Sequence, residues 1–465
     1  MPSGACLELG IALAKKRLRR GADVPAEVVS GALALRGTLL DCPGLRDSGE
    51  DGVSVRVIED GLVVADGQKI SYAGPYSSAA CAGITCTDHR GKLLVPGFID
   101  VHTHFAQTEM IAAYGEQLLD WLHKYTFPAE AEFADVDHSN RVAELFVSEL
   151  VRNGTTTAAV YGTVHAHSVD AVAQAALAHD LQLVVGKVMM DRNCPAEIRD
   201  TPQASYDDSK ALIERWHNVE RLRYAITPRF APTSTDEQLT VAAALWDEYP
   251  SVYLQTHVAE NLDEVRWVKE LFPSARSYLD VYARHQLLRR RAVLGHCIHL
   301  DADDRIQMQS SDATMAYCPS SNLFLGSGLF DLSASRSAGQ RVGIGTDVGA
   351  GTSFSMLRTL GEAYKVAQLR GQRCTPADLL YLATEGGAHA LDLEQKVGSL
   401  EPGKDADIVV IDPRATALSA ARCERFAEPL EQWFALCILG DDRHVSETYV
   451  RGRLVHSKLE GNHVR

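Results

Sequence analysis

Four side chains able to ligate a divalent metal stand at the ends of short β-rich runs. His102 and His104 lie in Asp-Val-His-Thr-His, His257 ends Val-Tyr-Leu-Gln-Thr-His, and Asp347 ends Val-Gly-Ile-Gly-Thr-Asp. Alternate residues of a strand share a face, so His102 and His104 point the same way. Taken singly these signals are weak: His-x-His is often a surface feature, and Asp after Gly-Thr is usually a turn residue. Their coincidence at strand ends carries the argument. Three imidazoles and a carboxylate suit zinc or iron and leave room for a water. Such an ion would bring the pKa of that water to about 7 and supply a nucleophile at neutral pH. Glu260, three residues past His257, is placed to move a proton from water to substrate. A carboxylate there would also suit a helix start. His296 ends another β-rich run. It is either a hydrogen-bonded core histidine or a partner for the water and the developing oxyanion.

These residues need elements to position them, and the sequence offers eight candidate strands. They are Leu93 to Asp100, Thr155 to Tyr161, Leu183 to Met190, Leu222 to Arg229, Val252 to His257, Ala292 to His296, Ala313 to Cys318 and Val342 to Asp347. The intervening segments are rich in Ala, Leu, Glu, Lys and Arg, as helices are. Alternating strands and helices imply a parallel sheet. Eight such units imply a closed TIM-type (β/α)8 barrel with its chemistry at the carboxyl ends of the strands. Strand-like text also fills both ends of the chain, from Ala32 onward and over Ala406 to Asp412 and Ser446 to His456, with Asp60-Gly61 and Asp66-Gly67 as turns. The expected organisation is an unassigned extension over 1–31, a small β-sandwich domain from 32–92 and 397–460, and a barrel over 93–396.

Composition narrows the function further. The chain has 465 residues, 46% of them hydrophobic, and a formal net charge of −15. An acidic balance argues against a nucleic-acid partner, and no apolar run is long enough for a membrane span. Ten cysteines without a Cys-x-x-Cys pair point to a reduced, cytoplasmic setting. The basic cluster Lys15, Lys16, Arg17, Arg19 and Arg20 lacks a long apolar core, and Glu8 does not suit a transit peptide. Several motif look-alikes fail on context. Gly398 to Lys404 has phosphate-loop spacing, but Asp405 follows where Ser or Thr belongs, and a strand comes next. The Gly-rich segment after Val342 lacks dinucleotide spacing. No cytidine-deaminase signature or His-Glu-x-x-His occurs. Cys297 and Cys318 are assigned to packing.

The string Pro96-Gly97-Phe98-Ile99-Asp100 before His-x-His, and the closing Gly-Ser-Leu-Glu-Pro-Gly-Lys-Asp-Ala-Asp-Ile-Val-Val-Ile-Asp, resemble the amidohydrolase superfamily. More narrowly, Ala32 to His456 resembles the guanine deaminases. The strings that carry this are HFAQT from His104, LHKYTFPAE from Leu122, NGTTTA from Asn153, GKVMMDRN from Gly186, ITPRFAPT from Ile226, THVAEN from Thr256, SSNLFLGSGLF from Ser320 and GIGTDVGAG from Gly343. The resemblance implies zinc ligation by His102, His104, His257 and Asp347. It implies purine binding by Gln107, Arg229 and Phe230, with His104, His257, Glu260 and Asp347 also facing the substrate. Glu260 would shuttle protons, while Asp347 and His296 steady the nucleophile and the tetrahedral intermediate. Related metal hydrolases bridge two metals with a carboxylated lysine on strand four. Here Lys187 falls on the third run and the fourth ends in Arg229, which stays protonated, so one zinc per chain is expected. Guanine would become xanthine and ammonia in purine catabolism or salvage, by a homodimer. An arginine donor to the carbonyl, an amide at the ring edge and a phenyl ring beside the face suit guanine. A buried guanidinium with no acceptor opposite it would also disfavour adenine. Competing readings are a related deaminase or chlorohydrolase acting on 8-oxoguanine, cytosine or a triazine, and an inactive scaffold. A scaffold would be marked by lost ligands, and all four are present with Glu260.

Overall fold

The computed structural model describes residues 31–43, 53–115 and 117–458. Apart from Gly31, the extension expected over 1–31 and its basic cluster lie outside the described residues. Eight parallel strands form the barrel: Phe98–His104, Thr155–Tyr161, Gln182–Gly186, Leu222–Pro228, Tyr253–Val258, Ala292–His296, Thr314–Tyr317 and Arg341–Ile344. The first three are buried at every residue, as strands covered on both faces must be. The ring closes just past the eighth strand. There Asp347 N–H donates to His102 O at 2.8 Å, and His104 N–H donates to Val348 O at 2.9 Å. This close approach requires glycine at 345, since a Cβ would lie 2.7 Å from His102 Cβ. Buried Asp100 pins the same seam by accepting from the backbone N–H of His102 at 3.1 Å and of Thr346 at 3.0 Å, and from the Thr346 hydroxyl.

Helices wrap the barrel with legible local signals. Asp135 caps Val136–Arg152 by accepting from the N–H groups of Asp137 and His138, and the helix buries Val142, Phe146, Val147 and Leu150 on one face. Both chain ends build a sandwich-like seven-stranded sheet. Leu33–Asp41, Arg56–Asp66, Lys69–Pro75 and Cys86–Pro96 come from the front, and Ile408–Ile411, Val445–Val450 and Arg453–Ser457 from the back. Its core joins Leu35, Leu39, Val63 and Leu94 to Ile408 and Val410.

Several expected boundaries shift. The run Leu93 to Asp100 is two strands. Leu93 to Pro96 pairs antiparallel with Ile408–Ile411 in the sheet, and the barrel strand starts at Phe98. Both pieces are apolar, so periodicity does not separate them. The break is Gly97, where a Cβ would lie 2.1 Å from Thr156 Oγ1. The third run also divides, into Gln182–Gly186 and Val188–Met189, around Lys187. Asp60-Gly61 is not a turn. It lies inside Arg56–Asp66, Gly61 faces Gly37, and the register shifts immediately beyond. The segment after Ile411, read as part of the β domain, carries helices Ala417–Arg425 and Pro429–Leu439. Trp433 of the latter is fully buried beside Phe98 of the barrel.

Candidate metal centre and active site

The barrel's parallel register brings the candidate ligands together at one mouth. His102 and His104 lie on the first strand, His257 on the fifth, and Asp347 three residues beyond the eighth. Their ligand atoms all lie within 4.8 Å of one another, and all four residues are buried or nearly so. His104 Nε2 is 3.2 Å from both Asp347 Oδ1 and His257 Nε2. His102 Nε2 is 3.3 Å from Asp347 Oδ1, yet this buried nitrogen makes no hydrogen bond. Burial and mutual repulsion hold the His257 ring well below the ordinary histidine range, and burial lowers His104 to about 3. Neutral imidazoles are what a metal needs. The other nitrogen of His257, Nδ1, is 2.7 Å from Arg229 O, which aims Nε2 inward. An orphaned imidazole nitrogen, neutral rings and an adjacent carboxylate make a donor set that fits a divalent transition metal.

Glu260 and His296 flank this cluster. Glu260 Oε2 is 3.3 Å from His296 Nε2, and Glu260 Oε1 accepts from the Ser327 hydroxyl at 3.0 Å. His296 Nε2 is 3.8 Å from Asp347 Oδ2. Asn322 Oδ1, an acceptor, lies 2.9 Å from His296 Nδ1; this leaves Nε2 facing the two carboxylates. Burial, then repulsion from Asp347, pushes Glu260 up to about 8. A cation beside it would pull that value back down. Backbone strain concentrates here. Ala259, His296, Cys297 and Asp347 all take left-handed φ between 49° and 69°, a conformation non-glycine residues adopt at a cost.

The cluster opens into a cavity lined by His104, Gln107, Arg229, Phe230, His257, Glu260, His296 and Asp347, together with Leu118, Trp121, Leu122, Leu325 and Ala350. All of the residues expected to face the substrate therefore line one cavity, while His102, expected only as a metal ligand, is not among its lining residues. Arg229 differs from expectation in one respect. Its guanidinium is not waiting for an acceptor, because Nη1 donates to both oxygens of buried Glu130, at 2.8 and 2.6 Å. The apolar wall from Leu118 to Leu122 and residues Glu130, Asp100, Ser327 and Asn322 were not anticipated. TFPAE was visible as a string, but nothing in its spacing marks Glu130 as a partner of a residue 99 positions away. Lys187 is buried and ion-paired with Asp200, away from the cluster. Cys318 comes near His296 and Asp347, but burial pushes its thiol well above the usual range, so it stays neutral.

A barrel with this constellation at its carboxyl mouth defines a metal-dependent hydrolase. Residues 93–455 match the amidohydrolase family. The guanine deaminase of Escherichia coli K12 is 47% identical over 91% of this chain and 98% of its own length. A solved structure of E. coli guanine deaminase superposes with a TM-score of 0.89 at 46% identity, covering 92% of this chain and all of that one. The Clostridium acetobutylicum guanine deaminase, solved with guanine in its active site, gives 0.84 at 28% identity, covering 92% of this chain and 100% of that one. The chain belongs to the amidohydrolase family and, within it, to the guanine deaminases.

Proposed function

We infer that this protein hydrolyses guanine to xanthine and ammonia. One observation carries the reading. The cavity that holds the metal-competent cluster also receives a guanidinium, a glutamine amide and a phenyl ring, the set that suits a planar purine with a carbonyl. We propose that His102, His104, His257 and Asp347 hold one zinc per chain. When bound, the ion supplies Lewis-acid activation of a water.

The chain's own residues do the rest. Glu260 takes the proton lost as the water adds to C2 and hands it to a ring nitrogen. It then carries the second proton to the amino group, the C2–amino bond breaks, and ammonia leaves while the oxygen stays on C2. Asp347 accepts a hydrogen bond from the adding water, and His296, with a proton on Nε2, donates to the developing oxyanion. Arg229 meets the carbonyl, Gln107 the ring edge, and Phe230 packs beside the ring. Leu118, Trp121, Leu122 and Leu325 keep water from the rest of the cavity, which strengthens each polar contact.

All nine cysteines among the described residues are free, which supports our proposal of a reducing, cytoplasmic setting. Membership of the guanine deaminases suggests a homodimer working in purine catabolism or salvage, and sedimentation of the pure protein tests the oligomer. The acidic net charge supports a small-molecule substrate and not a nucleic acid. The deciding experiment measures ammonia release from guanine and adenine by metal-analysed protein. Adenine bound in the same pose sets its 6-amino group, a donor, against the Arg229 donor and presents C2–H, with no amino group to leave, at the reacting position. Guanine should be preferred by a factor on the order of 10⁴. Comparable rates with adenine would remove this reading.

A further inference from the structure

Gln107, in the 3-10 turn Phe105–Met110 after the first barrel strand, and Arg229, just past the fourth, converge on one carboxylate that does not itself line the cavity. We infer that Glu130 is a positioning residue that fixes the donor pattern the cavity shows to a purine. This rests on the guanine reading above and adds the part of the chain that sets it.

Glu130 sits on the short helix Phe127–Ala131 and is 1% exposed. A carboxylate has only acceptor oxygens. Both take Nη1 of Arg229, and Oε1 also takes Nε2 of Gln107 at 3.3 Å. Gln107 is held at its other end, where its Oε1 accepts Gly349 N–H at 3.1 Å. Its amide therefore has one allowed orientation. Turned over, it would set an oxygen against the Glu130 carboxylate and an NH₂ against a backbone N–H. Arg229 is committed on Nη1 alone. Its Nε and Nη2 make no hydrogen bond among the described residues and remain for a ligand carbonyl. Glu130 also balances the guanidinium charge, so the cavity offers directed donors without a buried, unpaired cation. The backbone of Arg229 meanwhile accepts from His257, which ties this pattern to the cluster that activates water.

Three measurements on Glu130→Gln test this: steady-state kinetics with guanine, equilibrium binding of xanthine to the metal-loaded protein, and metal content with thermal midpoint. Xanthine shares the carbonyl, so its binding reports the pattern without turnover. Glu130→Gln gives Oε1's partner a choice of orientations and removes the charge opposite Arg229. KM for guanine and Kd for xanthine should both rise, roughly 10- to 100-fold, the scale of losing a hydrogen bond to a charged group. The kcat should stay within a few-fold and metal content should be unchanged, because binding common to ground and transition state is what is lost. A purely structural role would lower the thermal midpoint and leave KM and Kd where they were. That result, or a fall in kcat at constant KM, overturns the inference. If Glu130→Gln does not fold, Glu130→Asp carries the same test, because it keeps the charge and withdraws the carboxylate by one methylene. Unchanged KM and Kd in a folded Glu130→Asp likewise overturn it. Wild-type ammonia release from guanine is measured alongside, so failure of the guanine reading shows separately.

Discussion

His102, His104, His257 and Asp347 are carried by barrel strands or the residues just past them, whereas Gln107, Leu118, Trp121 and Leu122 of the cavity lining come from the connection between the first strand and the helix Val136–Arg152. The two regions share a cavity but are fixed by different forces. The ligand cluster is held by backbone: the parallel register sets its height, and the seam between His102, His104, Asp347 and Val348 closes it. The pocket is held by side chains. Arg229 and Gln107 stay in place through Glu130, and Leu118, Trp121 and Leu122 hang from short, irregular helical turns. A ladder of backbone bonds tolerates changes of side chain, and a three-residue polar network does not. We propose that reaction class resides in the strand ends, and that choice of substrate rests on the connection together with Arg229 and Phe230 past the fourth strand.

This contrast makes ordered predictions. The largest effect should come from the cluster. Chelation of the metal, or His257→Ala, should cut kcat by at least ~10³-fold, since Lewis-acid activation is worth several kcal/mol. Re-addition of zinc should restore the chelated wild type and not His257→Ala. Full activity in protein shown to be metal-free would break the assignment. Next is Glu260→Gln, which keeps shape but cannot accept a proton. Its kcat should fall by roughly 10² or more with metal retained, and near-normal turnover would make Glu260 a bystander. Third is Arg229→Met, whose effect on kcat/KM for guanine should be about 10- to 100-fold with metal content unchanged. It should also lower the thermal midpoint, because it strands the buried Glu130 carboxylate. Adding Glu130→Gln to Arg229→Met should recover the midpoint but not the kinetics. If the double variant is no more stable than Arg229→Met, the two side chains are not coupled.

What could be read from the sequence divides along the same line. The ligand cluster was legible because strands have a period of two and barrels put chemistry at strand ends. Residue type plus position at or just past a strand end was enough to expect His102, His104, His257 and Asp347 in one cluster, where the structure places them. Arg229 was legible as the end of the fourth expected strand and Phe230 only through the family resemblance, but the occupied state of Arg229 was not. Glu130 lies in a connection with no strand or long helix to give it a register, and its partners are brought to it by the fold. Boundaries failed where two apolar strands follow without a polar break, as at Pro96 and Phe98. They also failed where a turn-like Asp-Gly pair sits inside a strand, as at Gly61, whose Cβ would lie 2.2 Å from Leu39 Cδ1. The helix carrying Trp433 was missed for a similar reason: its apolar residues lie between two clear strands of the small sheet.

The smallest predicted effect lies outside both regions, near the seam of barrel and sheet, and sharpens the contrast by leaving catalysis alone. Glu385 on the short helix Glu385–Ala390 is 3% exposed and accepts from Lys404 Nζ at 3.0 Å. Burial raises its carboxyl to about 7 despite the attraction of Lys404. A carboxyl raised in the folded state is protonated there while its unfolded counterpart has already ionised. Folded chains then bind more protons than unfolded ones, so stability must fall as pH rises across that window. The window runs from about 4.5, where an unfolded glutamate ionises, to about 7, where the folded one does. Glu385→Gln removes the titration while keeping the shape. Relative to this variant, wild type should lose stability from pH 4.5 to 7 and then stay level, measured as thermal midpoints at fixed metal loading. The kcat/KM for guanine should be the same in both proteins. Should wild type instead gain stability over that range, Lys404 outweighs burial and holds Glu385 ionised, and the seam would be an ion pair in the full sense. Burial of a carboxylate with Lys404 as its one charged partner among the described residues and a like-charged neighbour at Glu401 favours the first outcome, because the charge it must bury is only partly matched.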